Sequence, residues 1–117
     1  MASKMYILIK DDIDLGHAIL ASAHASLSGY LTFLDHELHQ QSFEIPTRTQ
    51  SWVNDSFRKV VCKVSQTEFD KSKTYFKETE DFRIMHECGL PGNPEIAIVF
   101  APREEWPGFF KSLKLYK

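Results

Sequence analysis

The chain opens on an unbroken apolar run, Met5-Tyr6-Ile7-Leu8-Ile9, closed by Lys10. An apolar run of this length without alternation predicts a strand buried on both faces, and so a central one. Asp11, Asp12 and Asp14 form the turn that follows. Asp14 is read as an N-cap, its carboxylate accepting from free N–H groups one turn on. From Leu15 the period becomes helical, to about His36. Leu15, Ile19, Ser22, Ser26 and Tyr30 share one stripe, with Ala18, Leu27, Leu31 and Leu34 beside it. That is a wide apolar face. Small residues at Ala18, Ala21, Ala23, Ala25 and Gly29 allow close packing against a sheet.

Residues 37–56 are polar and irregular and contain Pro46, which predicts a loop with a helical turn ending near Trp52. Phe57–Val64, rich in β-branched residues, reads as the second strand. Ser65 and Glu68 fit a capping box at the start of a second helix, whose inward stripe is Phe69, Ser72, Lys73 and Phe76. Phe82–Glu87 alternates apolar and polar, the mark of a strand with one wet face. Cys88–Pro94 is a turn and Glu95–Phe100 a strong strand. Pro102–Trp106 reads as a short helix with Pro in its first turn, and Leu113–Tyr116 as a short terminal segment. The order β-α-β-α-β-β-α predicts one α/β domain over residues 1–117. The expected fold is a mixed four-stranded sheet with helices on both faces.

Composition narrows the classes. Hydrophobic residues make up 43% and charged residues 26%, ordinary globular values. No stretch of about 18 apolar residues is present, so no membrane partner is expected, and no secretory signal is apparent. Cys62 and Cys88 form no CxxC pair, and free thiols in a cytoplasmic protein are the simpler reading. A net charge of −2 argues against nucleic-acid binding by charge alone, without excluding a local basic patch.

Two histidines draw attention. His17 and His24 are seven apart, so both point to nearly the same side of the first helix, with Ala21 and Ser28. A neutral imidazole where a helix begins can act as a base. The plainer reading of His24, among Ala and Ser, is a packed histidine donating to a backbone carbonyl. Their spacing is not the His-x-x-x-His of a one-turn zinc site, and no paired cysteines are present, so no metal is expected. No phosphate-cradling glycine loop or nucleophile elbow occurs, and no cofactor is expected. Ser22 and Ser26 face away from His24. Glu87, ending the third strand, could orient His17 or hold a water; the bland alternative is a solvated rim carboxylate. Cys88 reads by default as a small buried thiol rather than a nucleophile. Lys111, Lys114 and Lys117, with Arg58, Lys59 and Lys63, could form a phosphate-binding patch, which Asp11, Asp12, Glu104 and Glu105 would weaken.

Together these segments resemble the type II peptidyl-tRNA hydrolase family. The opening strand, the Asp12-Ile13-Asp14-Leu15-Gly16-His17 turn and the Ser22-Ala23-His24-Ala25-Ser26 helix are similar to its first motif. Trp52 with Arg58–Val64 resembles its second strand, and Glu87-Cys88-Gly89 stands where the family has Asp-Ala-Gly. Ile96–Pro102 and Leu113–Tyr116 resemble its last strand and tail. The resemblance implies hydrolysis of the ester between peptide and tRNA, tRNA or peptidyl-tRNA as partner, and often a homodimer. It implies a site at the start of the first helix and the Asp-Ala-Gly turn. On that reading His17 is the base activating water and Glu87 its orienter. Gly16 at the helix N-terminus, His24, and the N–H groups of Gly89 and Asn93 face the substrate. The chain departs from the family where His17 replaces a catalytic lysine, Ala21 a glutamine and Glu87 an aspartate, and the turn after Gly89 is shorter and lacks its threonine. A lysine-to-histidine change alters the chemistry. The alternative reading is therefore an inactive member of the fold that binds RNA, a nucleotide or a protein.

Overall fold

The computed structural model describes residues 2–39, 47–79 and 81–117. Strand β1 (Lys4–Lys10) leads into helix α1 (Leu15–Leu38). Helix α2 (Arg48–Asn54), strand β2 (Arg58–Val64), helix α3 (Gln66–Ser72), strands β3 (Phe82–His86) and β4 (Glu95–Phe100) and helix α4 (Gly108–Lys111) follow. The sheet order is β2-β1-β4-β3. β1 runs parallel to β2 and antiparallel to β4, and β3 is antiparallel to β4. This is the expected mixed four-stranded α/β sheet.

β1 is central because both its faces are apolar. Met5, Ile7 and Ile9 enter a core with α1 and Trp52, while Tyr6 and Leu8 enter a second core on the other side. In that second core Phe69, Phe76, Phe100, Trp106 and Phe110 pack against the sheet, with Trp106 and Phe110 centroids 4.9 Å apart.

Several boundaries differ from expectation. The inward face of α1 is its small-residue row, Ala18, Ala21, Ala25 and Gly29, ended by Phe33. The large residues Leu15, Ile19, Leu27 and Leu31 are exposed. A Cβ on Gly29 would lie 3.0 Å from Val99 Cγ2, so the helix sits too close to β4 for bulk there. Phe57 has a positive φ of 52°, which delays β2 by one residue. The capping box of Ser65 and Glu68 forms as expected, and a second joins Thr47 and Gln50 at α2. The turn expected near Trp52 is thus a capped helix, and the rest of that loop, 40–46, lies outside the described residues. The expected helix at Pro102–Trp106 is absent: Arg103 bridges Lys4 in extended backbone, and α4 begins only after Pro107. Proline is suited to a helix start because its missing N–H has no helical acceptor there.

Candidate functional site

The turn after β1 presents a histidine held by a carboxylate. Asp14 stands at the N-cap of α1 with extended backbone (φ −64°, ψ 156°). Its Oδ2 accepts from the His17 backbone N–H at 3.2 Å, and its Oδ1 lies 2.6 Å from His17 Nδ1. A carboxylate only accepts, so Nδ1 carries a proton, and in the neutral form of the ring it is Nε2 that presents the lone pair. The hydrogen bond from the His17 ring, with that from the backbone, holds the Asp14 carboxyl below its ordinary range. The His17 side chain is 34% exposed, and Nε2 makes no hydrogen bond among the described residues. The first N–H groups of a helix have no acceptor inside it. Those of Leu15 and Gly16 find none elsewhere among the described residues.

The remaining expected residues gather elsewhere. His24 and Ser28 of α1 line a cleft of about 590 Å³ with Arg83, His86 and Glu87 of β3 and its end; His17 does not line it. The expectation that Glu87 orients His17 is corrected, because Asp14 does so. Glu87 Oε1 instead accepts from the Gly89 N–H at 2.8 Å. The Asn93 N–H donates to the Leu90 carbonyl at 3.2 Å. Residues 92 and 93 turn the chain with positive φ (83° and 48°). Both N–H groups expected to face substrate are therefore consumed inside the turn. His24 is exposed and makes no hydrogen bond among the described residues, so it is not the packed histidine of the plainer reading. Cys88 is exposed rather than buried. Cys62 is buried, and burial, then the charge of Glu68, pushes its thiol up to about 11.

The candidate basic patch divides. Lys63, Lys114 and Lys117 line a cleft of about 920 Å³ together with Asp11 and Glu68. Lys63 is the penultimate residue of β2 and Asp11 follows β1, so this cleft lies at the same end of the sheet as His17. Lys59 is separate, its ammonium 3.3 Å from the Phe57 ring centroid, and burial lowers its pKa. Among the described residues no group of three or more His, Cys, Asp or Glu side chains could hold a metal ion.

Arg83 and His86 went unnoticed in the sequence because they lie in the polar phase of an alternating strand, where a wet face is the ordinary explanation. A second cluster, Arg48 with Glu37 and Asp81 and Arg103 with Asp81, had no signal at all. Its members are brought together only by the fold. No protein-family model matches the chain, and no curated protein matches it.

Proposed function

We propose that the chain is a hydrolase of the peptidyl-tRNA hydrolase kind, with His17 as its general base. The 2.6 Å bond between His17 Nδ1 and Asp14 Oδ1 carries this reading. It fixes the tautomer that a base needs and leaves Nε2 open. In the reaction, Nε2 takes a proton from water and the water oxygen bonds to the ester carbonyl carbon. The N–H groups of Leu15 and Gly16, free at the start of α1, are the donors offered to the developing oxyanion. Collapse breaks the bond to the tRNA ribose oxygen, which takes the proton from the imidazolium. The cleft of Lys63, Lys114 and Lys117, at the same end of the sheet, suits the tRNA phosphates. A cytoplasmic place and a homodimer belong to the same reading.

A second reading is the binding module, favoured by the internal bonds of Gly89, Asn93 and Glu87. A cleavage assay with defined peptidyl-tRNA, run on the wild type, His17→Ala and His17→Lys, separates the two. Wild-type turnover that His17→Ala lowers supports the hydrolase. Turnover only in His17→Lys overturns it and marks a site that has lost its reaction. No turnover, with tRNA retained at low salt and released at high salt, supports the binding module.

A further inference from the structure

The two edges of the sheet are treated differently. Along β2 the chain covers its own edge: the Lys63 N–H donates to the Lys114 carbonyl at 3.0 Å and the Tyr116 N–H to the Val61 carbonyl at 2.8 Å. The segment at Leu115 thus lies antiparallel on Cys62 through an isolated bridge. Along β3 no described residue does this. The Asp81 carbonyl accepts from the Ala101 N–H, and Phe82 is paired with Phe100. Bonding in an antiparallel ladder alternates, so the N–H and C=O groups of Phe82 and Ile84 point away from β4. A row of this kind is a template for another strand, and proteins ordinarily cover or blunt it.

A groove runs beside this edge. The cleft holding His24 continues into a second of about 610 Å³ toward Leu38, and Leu31, Thr32 and Arg83 line both. From His24 to Leu38 the helix advances about 21 Å, the span of roughly six extended residues. On the helix wall Leu27 is 62% and Leu31 55% exposed, interspersed with His24, Ser28 and Thr32. Arg83 lies midway; its guanidinium donates to Thr32 Oγ1 at 3.0 Å and has no carboxylate partner among the described residues. Arg48, Arg103 and Lys73 each have one. His24 and His86 are exposed on the same groove, and Glu87 and Asp35 line it as well, Asp35 one helical turn past Thr32.

We propose that β3 and α1 form a docking groove for an extended segment of a partner protein, which pairs with Phe82 and Ile84 as a fifth strand and sets an acidic side chain on Arg83. Strand addition takes its affinity from main-chain bonds and its selectivity from alternate side chains, here apolar ones against Leu27 and Leu31 and an acid between them. This binding does not depend on the hydrolase reading.

The test uses the full chain and an acetylated, amidated hexapeptide alternating valine and threonine, with one central glutamate. Amide NMR should show slowed hydrogen exchange at Phe82 and Ile84 on binding. A glutamine in place of the glutamate should weaken binding about tenfold, and Arg83→Gln should abolish that difference. The same peptide N-methylated at alternate residues should not bind, a control that leaves the protein unaltered. Binding of the methylated peptide, shifts away from β3, or no binding at millimolar peptide would overturn the proposal. So would protection of Phe82 and Ile84 in a dimer of the chain alone, since a second copy would then occupy the edge.

Discussion

At the residue scale, both oxygens of the Asp14 carboxylate are used, one on a backbone N–H and one on the imidazole of His17. Replacing Asp14 with Ala should therefore have two effects. It should lower the melting temperature by uncapping α1, read by circular dichroism, and, on the proposed hydrolase reading, lower peptidyl-tRNA cleavage by freeing the ring. Because the carboxyl is depressed in the fold, its contribution is complete above the ordinary aspartate range. It is lost as pH falls through the lowered value. An NMR titration of Asp14 should show the low midpoint, and His17→Ala should return it toward normal. The cysteines make a second case. With its thiol near 11, Cys62 is about one part in a thousand thiolate at pH 8, and it is buried. Iodoacetamide should modify Cys88 in the folded protein and Cys62 only after urea unfolding; equal rates would contradict the burial. Asp14 was legible as a cap because an aspartate precedes a helical period. Its hold on the His17 ring was not, since it depends on two side-chain rotamers that no spacing encodes.

At the scale of elements, α1 is the instructive one. Between residues 15 and 34 it contains no Asp, Glu, Lys or Arg, so no charged side chain marks its outer face. A hydrophobic period then favours the large side chains, and the sheet favours the small ones. Close approach decides it: Gly29 leaves 3.0 Å to Val99 Cγ2 and 3.2 Å to Phe33 Cε2 for an added Cβ. Gly29→Ala gains roughly 1 kcal/mol of helix propensity but overpacks a core where Val99 is fully buried, at a cost of about 1–3 kcal/mol. The net expectation is destabilisation, larger for Gly29→Val. At Gly16 the added Cβ meets Asp14 Oδ2 at 3.5 Å, an ordinary contact, so Gly16→Ala should be neutral or slightly stabilising. Urea unfolding midpoints of the three variants check this ordering. The strands were read more accurately, because unbroken apolar runs at β1 and β4 leave no choice of face.

At the scale of the whole molecule, Asp81 joins distant parts of the chain. It accepts from Arg48, which also bonds Glu37 at the end of α1, and from Arg103 at 2.7 Å. Burial would raise the Asp81 carboxyl, but the hydrogen bond and charge of Arg48, with the charge of Arg103, outweigh it and hold the carboxyl low. The cluster's stabilisation is present above the ordinary aspartate range and lost as pH falls through the lowered value. Asp81→Asn should cost on the order of 2 kcal/mol in urea unfolding at pH 7, and the difference should shrink toward acid pH. The sheet and its faces were legible from the order of periods along the chain. This network and the α1–β3 cleft were not, because both join residues far apart in sequence. Chain folding likewise places His17 and Glu87 in different surroundings, which the order of motifs does not reveal. The most direct test of the His17 assignment is therefore single-turnover cleavage of peptidyl-tRNA by the wild type and by His17→Ala, whose backbone N–H still meets Asp14. A base acting in the transition state predicts measurable wild-type cleavage and a loss of about 100-fold or more in the variant. Equal rates, or an intact ester with both proteins, would contradict it.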